Sequence, residues 1–591
     1  MKEQLIHSLE QALRNVGLES AAIKLDYPED MSHGDFTTNT ALVYAKQANL
    51  KPRELAEKIV AEFTKVQPDC VQLVDIAGPG FINITVKDNM FAQGIVKLAK
   101  NVHSVKSADS PSSVVPNKFC ELEGEKGKTI MVEFTDPNPF KVIHIGHLMS
   151  NSIGESISRL AEYNGATVKR ANWQGDVGLH VAKTMWGIQK GGQNEFKAME
   201  KLSLVERVTY LGKAYATGTI AYDEPENKKE IDGLNKKIFE RSDAAVNEMY
   251  DLGRKWSLDY FETIYERLGT KFDYYFFEGK EGLRGSKIVE EHIADGVFEK
   301  SEGAIVFKGE KYGLHTRVFI NSMGLPTYEA KELGLNREKF QVEKKLDRSI
   351  IVTANEITEY FKVLLQVMKL VYPEIARKTE HVPHGMMRLT SGKMSSRTGK
   401  VVAAEDLIDD VRELVRAKIA DRKFSPEEAD DISDTIAVGA IKYSILRASI
   451  GGDIIYDRES SISFEGDSGP YLQYAAVRAA SILERARAEG LPVATDSNAK
   501  NIKLPEKVGA LERLISRFPD IVERAWKEYA PQHVAGYLIS LAGAFNSFYA
   551  SQTIIDRNDP LSPYYLALTD VFRRTLTDGL WVLGIKVPKK M

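Results

Sequence analysis

The stretch MVEFTDPNPFKVIHIGH, Met131 to His147, restricts the chain more than any other. Met131 to Phe134 is a short apolar run of strand type. Pro137 and Pro139 cannot sit inside a central strand, so the chain must turn there. From His144 the apolar residues recur at helical spacing, and Gly165 supplies a C-terminal stop. A strand that delivers a helix N-terminus is an anion-binding device, because unpaired N–H groups and the helix dipole point at the ligand. His144 and His147 sit there with Gly146 between them. Gly146 lets a flat ring approach the backbone, and imidazoles donate hydrogen bonds to phosphate. Taken alone, two histidines three apart fit a core, a surface or half a metal site at least as well. No HExxH pattern is present, and Cys70 and Cys120 have no metal-ligand spacing with these histidines.

A second stretch lies far downstream: Gly392-Lys393-Met394-Ser395-Ser396-Arg397-Thr398-Gly399-Lys400, a small cationic loop. Together the two stretches resemble the two signatures of class I aminoacyl-tRNA synthetases, HIGH letter for letter and KMSSR for KMSKS. The segment VEFTDPNPFKVIHIGH, with its PN and with Lys141 three residues before His144, resembles the form found in the arginyl-tRNA synthetase family. The GKVV that follows the second signature is similar to that family too.

At 591 residues, two to four domains are expected. Hydrophobic residues at 43% and charged residues at 27% describe a soluble globular protein. Two cysteines point to a reducing compartment, here the cytoplasm. Met1 to Gly17 patterns as a charged amphipathic helix rather than a signal peptide, and no apolar run has transmembrane length. A net charge of -4 excludes a globally basic nucleic-acid binder but not local basic patches.

The expected fold is an α/β catalytic domain with a Rossmann-like parallel sheet of the class I synthetase type. A small N-terminal α+β domain (1–105) precedes it, and a C-terminal all-α bundle follows. In the first domain, Lys51 to Val60 starts a helix and Val71 to Ile84 gives strand-like runs around Gly78-Pro79-Gly80. HGDFTTNTALVYAK from His33 and VDIAGPGFINITV from Val74 resemble the family's tRNA-elbow-binding domain. Phe81 and Asn83 match positions that stack on and hydrogen-bond a D-loop base; by residue type alone, Phe81 fits strand core equally well. The Ser, Pro and Lys-rich VKSADSPSSVVPNK marks a linker.

The catalytic domain is expected over 128–404, with a helical insertion at about 190–300. Ala166 to Asn172 supplies its second strand, completing a βαβ unit whose crevice edge carries Gly175-Asp176. The family's GDxGxQ has a Gln where this chain has His180. The sheet is expected to resume with GAIVFKGE, RVFINSMGLPTYEAKELGL and RSIIVTANEITEYFKVLLQVMKLV. Strands are expected to stop at about Glu405, leaving a helical stem and bundle over 405–591. GPYLQYAAVR, LAGAFNSFYA and GLWVLGIKVPKKM resemble the family's anticodon-binding bundle, with Tyr474, Arg478 and Tyr549 matching its RNA-facing residues. A tyrosine on a helix is by type alone more readily half-buried core.

The resemblance implies arginine activation by ATP to arginyl-adenylate, then transfer to the 3′ end of tRNA(Arg), with activation dependent on bound tRNA. His144 and His147 would hydrogen-bond the phosphates, and Lys141 would add a cation. Lys393 would neutralise the leaving pyrophosphate, with Ser395, Ser396 and Arg397 holding the loop. Pro139, Gly146 and Met394 complete the implied ATP site. Mg²⁺ would arrive with ATP, and no structural metal is expected. Arginine selection needs carboxylates, because guanidinium has donors and no acceptor. The implied contacts are Glu133, Asp136, Asn138, Tyr328, Glu332 and Glu356. Three depart from the family pattern: Asp136 for a common Ser, Glu332 for Asp, and Glu356 for a neutral residue. The family also implies a monomer. Another enzyme of the same fold, such as a small nucleotidyltransferase or a synthetase for another amino acid, should lack the flanking RNA modules, and a catalytically dead relative should have lost the His, Lys or acid residues.

Overall fold

The computed structural model describes residues 1–19, 23–100, 122–390, 402–491 and 502–591. The chain divides into two compact units, one of 1–104 with 478–518 and 540–575, the other of 105–477 with 519–539 and 576–591. The larger unit is built on a five-stranded parallel sheet. Its spatial order is Thr379–His384, Leu346–Ala354, Thr129–Glu133, Thr167–Gln174 and Tyr274–Phe277. The central strand, TIMVE, is buried from Ile130 onward, as a parallel strand covered on both faces must be. Chain order reverses across this strand: its neighbours are a later strand on one side and the next in sequence on the other. Such a switch point opens a crevice at the carboxyl ends of the strands. Glu133 ends the central strand there, and Asp136 and Asn138 follow it into the crevice.

The helix Ile145–Tyr163 leaves this crevice and is buried on nearly all sides. Leu148, Met149, Ile153, Ile157 and Leu160 supply its apolar contacts. Its small polar residues are tied off as burial requires. Ser152 and Ser158 bond back to their own helix, and the Ser150 hydroxyl donates to Val352 O at 3.1 Å.

Three expectations are corrected. GAIVFKGE and RVFINSM do not rejoin the main sheet: Ala304–Phe307 and Arg317–Ile320 form a separate antiparallel sheet with Glu299–Ser301. Its first turn passes through Glu302 and Gly303, both at positive φ, which favours a tight reversal over a crossover. The edge strand of the main sheet is instead Tyr274–Phe277, inside the stretch expected to be helical. Nor do strands stop at Glu405, because Ile454–Tyr456 pairs in parallel with Met387–Leu389. Three residues carry too little pattern to announce a strand.

The smaller unit contains an antiparallel sheet ordered Phe36–Thr38, Phe81–Val86 and Val71–Ala77. Leu5, Leu9 and Leu13 from one helix and Leu55, Ile59 and Phe63 from another pack with Phe36, Ile82 and Ile84. Within the same unit Arg513 pairs with both Asp35 and Asp88. Leu483, Ala486, Ile554 and Leu566 form a further small core. Among the described residues, no helix is long and apolar enough to cross a membrane.

Candidate active site

The turn after the central strand is held in a conformation that few residues adopt. Thr135, Asp136 and Phe140 have φ of 78°, 49° and 67°. Non-glycine residues in that region cost about 1–3 kcal/mol each and persist only when their surroundings over-determine them. The surroundings do so here. Ser150 Oγ accepts from Thr135 N–H (3.0 Å), Ser257 Oγ accepts from Phe140 N–H (2.9 Å), and Asp136 Oδ1 accepts from Trp173 N–H (2.8 Å). Phe140 is 1% exposed and closes the turn against Gly253 and Tyr250.

This turn delivers His144 as the N-cap of the helix. Its Nδ1 accepts from Gly146 N–H at 3.1 Å, and its own N–H donates to His147 Nδ1 at 3.1 Å. Two imidazoles thus form a reciprocal capping box in place of the usual hydroxyl and carboxylate. The rings stack at 3.7 Å. A Cβ on Gly146 would lie 2.9 Å from His144 Cε1, so only glycine fits beneath the ring. Backbone N–H groups can only donate, so both Nδ1 atoms are acceptors and each neutral ring carries its proton on Nε2. Burial, then the charge of Lys141, holds His144 below the usual histidine range. Burial, then His144 and Lys141, holds His147 well below it. The site therefore offers two neutral Nε2–H donors at a helix N-terminus. Lys141 lies 5.0 Å from the ring centre of Tyr215. Pro139 is buried behind the turn. His180, at the Gln position of the family pattern, bonds through Nε2 to Gly175 O at 2.8 Å. Burial and Lys141 bring it to about 3, so it too is neutral.

Lys393, Met394, Ser395, Ser396 and Arg397 lie outside the described residues. Where the described chain resumes, Val402 O accepts from Ile145 N–H (3.1 Å) and Ala404 N–H donates to Ile143 O (2.9 Å). Val402 and Ala404 are thereby tied to the histidine turn.

Beside the turn lies a cavity of about 460 Å³, lined by Glu133, Asp136, Asn138, Tyr328, Glu332 and Glu356. All six sequence-predicted arginine contacts therefore meet in one place. Tyr328 and Glu332 are one turn apart on the helix Tyr328–Val342, and Glu356 is exposed on the turn Asn355–Ile357. The structure adds Glu278, Glu329 and Arg317, with Trp173, Gly175, Thr353, Ile357 and Tyr360. Glu278 sits just past the edge strand and would have been found had YYFF been recognised as one. Arg317 and Glu329 carry no sequence signal. Some acids have partners: Glu133 pairs with Lys339 (2.6 Å), Glu278 with Lys331 (2.5 Å) and Glu329 with Arg317 (3.7 Å). Asp136 and Glu332 have no cationic partner among the described residues. Desolvation and the charge of Glu133 raise Asp136 well above the carboxylate range, and the same two causes push Glu332 up to about 8.

The pocket wall depends on a close helix crossing. A Cβ on Gly285 would lie 1.7 Å from Ala330 O, and one on Gly334 would lie 2.1 Å from Glu281 O. Backbone contact at these glycines sets Glu278 against Lys331. Gly285→Ala is expected to lower unfolding free energy by about 1–3 kcal/mol, the usual cost of overpacking. Urea unfolding should report that loss.

The predicted RNA contacts are dispersed. Phe81 is 40% exposed at the start of its strand, which settles against strand core. Asn83 is 7% exposed in the middle strand of its sheet, so its side chain is not offered to solvent as Phe81 is. Tyr474 is half-buried on the helix Gly469–Ala488. Arg478 donates to Asn546 Oδ1 (2.9 Å) and lies 5.3 Å from the ring centre of Tyr549, which is exposed.

A parallel sheet whose central strand delivers an HIGH cap into a crevice defines a class I aminoacyl-tRNA synthetase catalytic domain. The chain belongs to the arginyl family of that class: residues 112–457 match tRNA synthetases class I (R), catalytic domain. Residues 3–86 match the arginyl tRNA synthetase N-terminal domain, and 472–591 match the DALR anticodon binding domain. The arginine–tRNA ligase of Bacteroides fragilis is 26% identical over 98% of both chains. That of Porphyromonas gingivalis is 27% identical over 99% of this chain and 100% of its own. The arginyl-tRNA synthetase structures of Thermus thermophilus and Plasmodium falciparum superpose with TM-scores of 0.78 and 0.79, each at 20% identity. The first covers all of both chains, and the second all of this chain and 99% of its own.

Proposed function

We propose that the chain joins L-arginine to tRNA(Arg) at the expense of ATP, by way of arginyl-adenylate. The observation that carries this reading is the acid-lined cavity that shares Asp136 and Asn138 with the turn leading to the two neutral imidazoles. Arginine enters with its guanidinium toward Asp136, Glu332 and Glu356, and Asn138 at the turn orients its carboxylate. The carboxylate attacks the α-phosphate; a mixed anhydride bond between the carboxyl oxygen and phosphorus forms and the bond to pyrophosphate breaks. His144 and His147 donate from Nε2 to phosphate oxygens as charge grows on them, and Lys141 adds a cation. Because both rings are neutral donors, they stabilise charge without needing to exchange a proton. Donors of this kind suit phosphate rather than a metal ion, so Mg²⁺ would ride on the nucleotide and neutralise part of its charge. The ribose hydroxyl of tRNA then displaces AMP. We further assign Phe81, Arg478, Tyr474 and Tyr549 to tRNA contact, and a monomeric state in the cytoplasm, on the family resemblance.

ATP–pyrophosphate exchange tests the assignment. Arginine should support exchange, while citrulline, which keeps the shape and loses the charge, should be at least about 10³-fold poorer in kcat/KM. Lysine should fail similarly, since a point ammonium cannot bridge separated carboxylates. Equal exchange with citrulline would remove the pocket assignment. Exchange should stay at background in RNA-free enzyme and appear on adding tRNA(Arg).

A further inference from the structure

The cavity floor holds more negative charge than one arginine can balance. Glu133, Asp136 and Glu332 line it together, and among the described residues the single cation beside them is the ammonium of Lys339. Lys339 is 0% exposed and Glu133 is 1% exposed, with Nζ 2.6 Å from Oε2. Lys339 lies seven residues beyond Glu332, two turns along the same helix and on the same face. It reaches Glu133 from beneath, outside the residues that line the cavity. Asn336, between them on that face, donates to Glu332 Oε2 at 3.3 Å.

We propose, building on the arginine assignment above, that Lys339 is a positioning residue that claims Glu133 and leaves Asp136 and Glu332 as a proton-sharing pair. In the empty site that pair holds one proton, and the arriving guanidinium replaces it. The exchange balances: the protonated pair plus the arginine cation gives the ionised pair with bound arginine and one released proton. Three ionised carboxylates against one ammonium would leave two uncompensated charges in a desolvated floor, which proteins avoid by retaining a proton.

Most groups facing the pair favour a retained proton, against hydrogen bonds to the ionised forms from Trp173 N–H on Asp136 and from Asn336 on Glu332. Glu133 on the central strand raises both acids, and Glu278 from the helix Glu278–Glu291 raises Glu332. Lys339 lowers both but is spent on Glu133. Lys331 of the helix Tyr328–Val342 is taken by Glu278, and Arg317 stands beside Glu329. Tyr265, Tyr328, Tyr360 and Tyr372 face the pair with hydroxyls held in the neutral form. Glu356, at the rim, adds a further negative charge.

The sign follows. A proton must leave before arginine binds, so affinity weakens as pH falls below the raised value near 8 carried by Glu332. One proton corresponds to about a tenfold loss of affinity per pH unit in that range. The measurement is titration calorimetry of arginine into the full chain, between pH 6 and 9. Buffers of different ionisation enthalpy give the proton count directly. Wild type should release close to one proton at pH 7 and none at pH 9. Glu332→Gln should release none at either pH and bind with little pH dependence. Lys339→Met should leave the floor with an extra proton, raising the count above one and moving the affinity profile to higher pH, and Lys339→Arg should restore both. A wild type that binds arginine with no proton released overturns the proposal while leaving the arginine assignment intact. So does a Lys339→Met enzyme that loses stability with the wild-type proton count and pH profile. No arginine binding under any condition would instead remove the assignment itself.

Discussion

Alanine at His147 should lower arginine-dependent pyrophosphate exchange, at saturating substrates, by about two to three orders of magnitude. Two losses combine. The Nε2–H donor disappears from the point where phosphate charge develops, and removing one such donor typically costs about 3–4 kcal/mol of transition-state stabilisation. The reciprocal cap also breaks, because His144 N–H loses the Nδ1 that accepts it at 3.1 Å. Cap loss alone is worth about 1 kcal/mol of stability and would appear in thermal unfolding rather than in the rate. Asparagine at the same position keeps an acceptor for the backbone and a donor for phosphate, so it should recover part of the activity. An alanine enzyme within threefold of wild type would mean that phosphate is held elsewhere. The pH profile gives a second check. Burial holds both rings below the usual range, and protonating either would also put Nδ1–H against a backbone N–H. With arginine and ATP saturating, the rate should therefore show no inflection near 6.5 from these histidines. It should fall only at clearly lower pH.

The second large effect concerns stability. Glu155 is 2% exposed on the helix that begins at the histidine cap. It accepts from Arg159 Nε (2.6 Å) and Arg170 Nε (2.9 Å), and Arg170 also reaches Glu162 at 2.7 Å. Arg159 donates onward to Trp581 O (2.9 Å) and Gly269 O (3.0 Å), and Ser156 donates to Val582 O (2.9 Å). Lys442, fully buried, donates to Leu268 O (2.6 Å) and Gly584 O (2.9 Å) beside them. The helix of the active site is thus anchored from behind by the last turn of the chain's final helix and by the carbonyls that end Ala244–Leu268. Glu155→Gln should cost about 3 kcal/mol, because it leaves buried guanidinium charge uncompensated. The arginines bring Glu155 down from 4.5 to about 2 despite burial. A depressed folded value stabilises above the unfolded value and is lost as pH falls through the folded one. The stability difference between wild type and Glu155→Gln should be full at pH 7 and shrink between about pH 5 and 2. Urea midpoints measured at pH 7 and pH 3 decide it, and an unchanged difference would mean that Glu155 carries no special charge stabilisation.

The sequence by itself determined the turn and its two imidazoles, and six of the residues that line the pocket. These features are local. Pro137 and Pro139 force a turn, Gly146 permits a ring against the backbone, and apolar spacing announces the helix. The carboxylates came from resemblance, carried on motifs a few residues long. What only the tertiary structure decided depends on contacts between distant segments. Lys339 is an ordinary lysine on a helix until burial sets it against Glu133, more than 200 positions away in the chain. Glu278 joins the pocket because Tyr274–Phe277 is a strand, and four aromatic residues inside a charged helical stretch gave no period to show it. Ala304–Phe307 and Arg317–Ile320 were legible as strands, but pairing partners, not propensity, decided that they form a separate sheet, and pairing likewise made Ile454–Tyr456 a strand. Asp136 could be placed at the site from its neighbours in sequence, but not its charge. That follows from desolvation and from Glu133 and Glu332 beside it, quantities that exist only once the chain has closed around them.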